Sequence, residues 1–202
     1  MPTTNVIVVK ALPLDFSKND LYKNQEKFKQ LGKYIKSIPD AFFLSNNFRS
    51  DRIVHFCTMI SNKPYIVTFY GPELKYLGPS FFSAGHLLLR AQSHVKNPSS
   101  KEGKLTPGLR VKKGTFKSLL EERYKEGFSW YQIVQRKEKL FPKKIEKNQS
   151  ILLLFGFEPN ELDSSANITK ISFGDIDIDE QIILANFYIF DKKSDLKWNY
   201  KK

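Results

Sequence analysis

Apolar positions recur along this chain in two periods. Asn5-Val6-Ile7-Val8-Val9 is a continuous, largely β-branched run bounded by turn residues, which predicts a buried strand. From Ser17 the spacing becomes helical, with Leu21, Phe28, Leu31, Ile35 and Ile38 on one face. Ser17 and Asp20 form a capping pair at its start, and Pro39 is expected to end it. Residues 41–44 fit either a helical continuation or a short strand. Residues 53–60 and 65–69 read as strands, and the turn Ser61-Asn62-Lys63-Pro64 makes them a hairpin. Ser80 caps a helix whose face is Phe81, Ala84, Leu88, Ala91 and Val95. Residues 96–108, with Pro98, Gly103, Pro107 and Gly108, read as a loop, and residues 114–123 as a short helix. Strands are predicted at 131–134, 151–155 and 168–173, the first two separated by a Lys-rich loop at 136–147. A last apolar segment runs from Asp179 to Phe190. Strands alternating with helices predict an α/β protein with a largely parallel sheet. No internal repeat is visible, and 202 residues suit a single domain spanning 1–202.

Composition narrows the class. Apolar residues make up 41% of the chain and Phe alone accounts for 17, enough for a sizeable core. The longest apolar runs, 151–155 and 182–185, fall far short of the ~20 residues that span a bilayer. Met1-Pro2-Thr3-Thr4-Asn5 shows no basic segment ahead of an apolar one, so a cytoplasmic protein is expected. The single cysteine, Cys57, precludes an intramolecular disulfide, and three scattered histidines (His55, His86, His94) do not make a zinc set. Asp175-Ile176-Asp177-Ile178-Asp179 lacks the glycine and terminal glutamate of a calcium loop, so no metal is expected.

Charge changes the picture most. The net charge is +12, which points to a polyanionic partner. It is unevenly placed: residues 96–147 carry net +9, whereas residues 148–191 carry net −7.

Four stretches in order resemble the archaeal tRNA pseudouridine-54 N1-methyltransferases, a family of the SPOUT class. Ala41-Phe42-Phe43-Leu44-Ser45 with Phe48-Arg49-Ser50-Asp51 is similar to the family's FLSHGIRxD segment. Residues 67–77, containing Phe69-Tyr70-Gly71-Pro72-Glu73-Leu74, resemble RFEGSELRYLNP. Thr106-Pro107-Gly108-Leu109 with Gly114-Thr115-Phe116 resembles SPGIYVSRRGFE, and Ile171-Ser172-Phe173-Gly174 resembles ISLGP. The chain departs from the family at Leu153-Leu154-Phe155-Gly156-Phe157, where the family has LGDHxG. It departs again at Ile183, where the family has a cysteine, and at Pro79-Ser80-Phe81-Phe82-Ser83, where the family has PDERS.

The resemblance implies a SPOUT-type parallel sheet flanked by helices, with a C-terminal trefoil knot. It implies S-adenosyl-L-methionine as cofactor, tRNA as partner and a homodimer. The cofactor would lie on the loops after the late strands, at Leu154, Gly156, Ser172, Phe173, Gly174, Ile178 and Ile183. Asp51 and Glu73, in family-like segments, are the candidates to accept the proton from N1 of pseudouridine. Arg49, Arg110, Lys112, Lys113 and Lys117 would contact RNA phosphates, as would Lys143 and Lys144. Trp130 and Tyr131 fit either base stacking or the core. Two other readings stay open: a relative that binds RNA without catalysis, suggested by the altered cofactor loops, and a methyltransferase acting on another RNA.

Overall fold

A computed structural model describes residues 5–23, 28–44, 47–99, 105–124, 127–141, 150–157 and 168–190. Seven strands form the main sheet: β1 (Asn5–Lys10), β4 (Arg52–Ile60), β5 (Lys63–Tyr70), β6 (Leu109–Lys113), β7 (Ser129–Ile133), β8 (Ile151–Phe155) and β9 (Ile168–Ile171). Their order is β6-β5-β4-β1-β8-β7-β9. The five strands from β4 to β9 run parallel, and β5 and β6 extend one edge antiparallel. Two short strands, β2 (Phe43–Leu44) and β3 (Asn47–Phe48), pair beside it.

The helices are α1 (Lys18–Lys23), α2 (Lys29–Phe42), α3 (Phe81–Lys96), α4 (Phe116–Tyr124) and α5 (Ile178–Ala185), the last continuing into a π turn at Asn186–Phe190. None is long and apolar enough to cross a membrane. Both faces of the sheet are covered, which is why β1 and β8 are apolar at consecutive positions. Ile7, Val9, Leu153 and Phe155 point into the larger core under α2, α3 and α5. Val6, Val8, Leu152 and Leu154 point to a smaller core with Leu119, Phe116 and Leu120 of α4. Trp130 and Tyr131 are buried on opposite faces and serve the core.

Several sequence expectations are refined. Ser17 and Asp20 cap α1 reciprocally: the Ser17 amide donates to the Asp20 carboxylate at 2.8 Å, and the Asp20 amide donates to Ser17 Oγ at 3.1 Å. Pro39 does not end α2. It lies inside the helix, which runs one turn further to Phe42. Pro39 removes one backbone bond, and burial of Pro39, Ala41 and Phe42 against the core offsets that loss. The hairpin turn is two residues, not four: Ser61 and Asn62 both have positive φ (50° and 58°), and Ile60 pairs with Lys63. The strand β6 follows the loop predicted at 96–108. Its exposed Arg110, Lys112 and Lys113 mask the alternation, as charged residues do on sheet edges.

Candidate functional site

The parallel strands β1, β8, β7 and β9 all end at one side of the sheet. A cleft of about 550 Å³ opens there, lined by Leu12 after β1, Ile133 to Arg136 after β7, Gly156 and Phe157 after β8, and Ile176 to Ile178 after β9. Gln30, Lys33 and Tyr34 of α2 and Gln181 of α5 complete it. Ligands in parallel α/β sheets bind beyond the carboxyl ends of strands, so the topology alone singles out this cleft.

Each wall is held by specific bonds. Gly156 has φ +76°, and a Cβ there would lie 2.6 Å from the Lys10 carbonyl oxygen, so only glycine lets the β8 exit pass the end of β1. Gln132, buried in β7, donates to the Phe157 carbonyl at 3.1 Å. Gln135 donates to Asp175 at 2.7 Å. The buried Ser172 exchanges two backbone bonds with Leu140, both 2.9 Å, and its hydroxyl donates to the Arg136 carbonyl at 3.3 Å. The connection leaving β7 is thereby fastened across the exit from β9.

The roof is formed by α2 and α5, which run parallel. Lys33 pairs with Asp177 at 2.6 Å and Lys36 with Asp179 at 2.7 Å, while Asn186 donates to the Asp40 and Ala41 carbonyls. Asp177 also caps α5, its side chain and that of Glu180 forming a capping box. The hydrogen bond to Asp177 holds the Lys33 ammonium above its usual range, and that to Asp179 does the same for Lys36. Burial pushes Asp40 up to about 6, the Asp179 carboxylate adding to it and Lys36 opposing it.

Of the residues anticipated for the cofactor, Gly156 and Ile178 line the cleft. Leu154 is fully buried and points to the α4 side of the sheet. Ser172 and Phe173 are buried beside it, Ser172 clipping the loops and Phe173 packing near Phe141 and Tyr188. Gly174, at φ +105°, donates its amide to Ser172 Oγ, and Ile183 is half-buried on α5. The residues that sequence reasoning missed include Leu12, Gln30, Lys33, Tyr34, Ile133 to Arg136 and Gln181. Lys33, Tyr34 and Gln181 come from helix faces, where no loop signal marks them.

Asp51 and Glu73 lie at the opposite end of the sheet. Asp51 precedes β4, accepts from Asn5 Nδ2 at 3.0 Å and pairs with Arg52. The six residues of β1 from Asn5 to Lys10 put that end roughly 17 Å from the cleft, at about 3.3 Å per residue. Glu73 follows β5 and pairs with Arg110 at 3.0 Å, and the Arg110 guanidinium lies 4.5 Å from the centre of the Tyr70 ring. Arg49 is half-buried near Asp51, its amide bonded to the Phe42 carbonyl. Arg110, Lys112, Lys113 and Lys117 are exposed along the β6 edge and the start of α4, with Lys112 paired to Glu122 at 2.7 Å. Lys143 and Lys144 lie outside the described residues. Among the described residues no group of three His, Cys, Asp or Glu side chains is placed to hold a metal.

A mixed polar and apolar cleft beyond parallel strand ends defines a ligand-binding α/β protein. More particularly, the chain is similar to curated tRNA (pseudouridine(54)-N(1))-methyltransferases of archaea. It is 35% identical over 107 residues to that of Methanosarcina mazei and, equally, to that of Methanosarcina acetivorans, the match covering 52% of this chain and 48% of each relative. It is 28% identical over 108 residues to that of Methanocaldococcus jannaschii, covering 50% of this chain and 52% of the relative. The matched region thus spans about half the length of these curated relatives. No family model matches the chain. A crystal structure of Archaeoglobus fulgidus Nep1 bound to S-adenosylhomocysteine aligns over 91% of this chain and 96% of its own, with a TM-score of 0.48 and 10% identity, a likeness too distant to assign anything here.

Proposed function

We propose that this chain is an S-adenosyl-L-methionine-dependent RNA methyltransferase acting on tRNA in the cytoplasm, at N1 of pseudouridine 54. The observation that carries the reading is the cleft at the carboxyl ends of β1, β8, β7 and β9, in a chain similar to enzymes named for that reaction.

The residues present suit the cofactor. The apolar wall of Leu12, Ile133, Val134, Phe157, Ile176 and Ile178 would take a purine and a thioether-like chain. Arg136 and Lys33 would take the carboxylate of the methionine moiety, and Asp177 its ammonium. The cleft, at about 550 Å³, falls in the range of roughly 300–1,000 Å³ typical of small-molecule sites. When bound, the cofactor supplies an electrophilic methyl group. The chain's part is to fix the acceptor base in line with it and to exclude water, and such positioning can supply roughly 7–11 kcal/mol of the barrier. The loop fastened across the β9 exit is, in this reading, part of a SPOUT trefoil knot within one domain.

Asp51 and Glu73 touch the reacting atoms only if a second copy brings its amino-terminal sheet end to this cleft. A homodimer of that arrangement would keep both as candidate bases and would lay Arg49 and Arg110 against the RNA.

The test is calorimetric titration of the whole protein with S-adenosyl-L-methionine, followed by methyl transfer to a pseudouridine-containing tRNA arm. Binding with transfer to that arm supports the reading, and no heat at high cofactor concentration sinks it. A second reading, RNA binding without catalysis, is favoured by one observation. Asp177 is the only carboxylate among the described residues that line the cleft, and it is already committed to Lys33 and to capping α5. RNA binding without cofactor heat would establish that alternative.

A further inference from the structure

A second concavity, of about 750 Å³, lies away from the cleft, between the segment leading into α1 and the outer face of α3. Three cations, Lys18, Arg90 and Lys96, line it with His86, Ser93 and Asn97, beside apolar Phe16 and Leu89. Two carboxylates line it as well: Asp20, which caps α1, and the exposed Asp15, 3.7 Å from Lys96.

An aromatic pair borders this groove. Tyr22 and Phe82 are 49% and 44% exposed, yet their rings stack at 5.0 Å between centroids and 11° between planes. Neither ring is loose. Tyr22 Oη lies 2.7 Å from His86 Nε2, and the edge of Phe82 is braced by Phe81, which packs against the core. His86 both orients Tyr22 and lines the groove, so the stack and the groove form one surface. Two large aromatic rings stacked on each other and each about half exposed add little to the core.

We propose that this surface binds a single-stranded nucleotide segment of the RNA: one base stacks on the Tyr22–Phe82 pair, and the neighbouring phosphates lie along Lys18, Arg90 and Lys96. Aromatic stacking accepts any base, and cations beside it track the backbone, the combination used for unpaired nucleic acid. Three cations along one groove, in a chain of net charge +12, favour a polyanionic occupant. A second copy of the chain fits less well. A stable protein interface buries about 800 Å² per partner around an apolar centre, whereas this surface is two rings flanked by cations. The proposal rests on the RNA-binding half of the function above and not on methyl transfer.

The experiment uses the whole chain and a fluorescein-labelled single-stranded oligouridine of about ten nucleotides. Anisotropy gives its affinity, and melting temperature, sedimentation and S-adenosyl-L-methionine calorimetry are measured in parallel. Phe82→Ala is expected to weaken RNA binding about tenfold, the loss of one base–aromatic stack. Phe82→Tyr, which keeps the ring, is expected to stay within about twofold, and Arg90→Ala to weaken binding and flatten its salt dependence. Phe82→Leu keeps apolar volume without a stacking face and must also lose affinity, which guards against a folding defect in the alanine variant. The proposal is overturned if the wild-type chain does not bind the oligonucleotide, or if Phe82→Leu binds as well as wild type. It is also overturned if the variants change sedimentation rather than RNA affinity, which would mark a protein contact. Absent cofactor heat with Phe82-dependent RNA binding would remove the methyltransferase reading and leave this one standing.

Discussion

Ser172 holds Arg136 by its backbone: the Ser172 hydroxyl donates to the Arg136 carbonyl at 3.3 Å and accepts from the Gly174 amide at 3.3 Å. A fully buried hydroxyl thus joins the exit of β9 to the connection leaving β7, two loops that share one cleft. Ser172→Ala leaves the buried Gly174 amide and the part-buried Arg136 carbonyl without this partner. The expected loss is about 1–3 kcal/mol in urea unfolding, and under the proposed function S-adenosyl-L-methionine binding weakens because the two walls separate.

At the other end of the sheet, Asp51→Asn is expected to cost stability. Arg52 is 1% exposed, paired with Asp51, and its guanidinium lies 4.2 Å from the Phe190 ring centre. Without the carboxylate, a buried positive charge loses an ion-pair partner. Because Asp51 itself is half exposed, the loss is about 1–2 kcal/mol rather than the larger value for a fully buried pair. Cofactor affinity, read in parallel by calorimetry, stays within about twofold.

Gly156→Ala combines strain with collision. Its φ of +76° disfavours a side chain, and the new Cβ would sit 2.6 Å from the Lys10 carbonyl. A loss of about 2–4 kcal/mol is expected, from backbone strain and displacement of β1, seen as a lower melting temperature. Gly174→Ala, also at positive φ but with no atom within 4 Å, carries strain alone and costs less.

Two buried groups give opposite pH dependences. His55 accepts from Arg123 at 3.1 Å and donates Nδ1–H to Thr68 Oγ1 at 2.9 Å, so its imidazole is neutral. Burial, then Arg123 and Lys112, push it down to about 3 from 6.5. Its contribution is intact above pH 6.5 and falls by about 1.4 kcal/mol per unit as the pH drops from there toward 3. Asp40, raised from 3.8 to about 6, works the other way: acidification from about 6 to 3.8 relieves its buried charge and adds stability. Melting curves against pH are therefore expected to flatten below neutrality in His55→Gln. In Asp40→Asn they are expected to steepen between about pH 6 and 4, with a higher melting temperature at about pH 8.

Strands β1 and β8 were legible because burial on both faces leaves an unbroken apolar run, and α3 because its apolar spacing follows Ser80, whose hydroxyl caps the helix by accepting from the Ser83 amide. Pro39 misled because the penalty of a proline near a helix end is smaller than the gain from burying the turn that follows it. The cleft was half visible. Gly156 and Ile178 follow strands, where family-like loops mark them, but Lys33, Tyr34 and Gln181 reach it from helices whose approach depends on the sheet order. Asp51 and Glu73 sit in similar-looking segments, yet sequence similarity carries no information about which end of a strand faces the ligand.

The parallel pairing of α2 with α5 also sets an order of events during folding. Lys33 meets Asp177 and Asp40 meets Asn186 across 144 and 146 positions of chain. Contacts that distant close large loops, and α5 can dock only once β8, β7 and β9 have been added in turn to the β1 side of the sheet. A nascent chain released before residue 178 would possess all seven strands but only the α2 half of the roof over its cleft. Competence to hold a small molecule would then arrive abruptly, with the last helix, rather than growing as the protein is made.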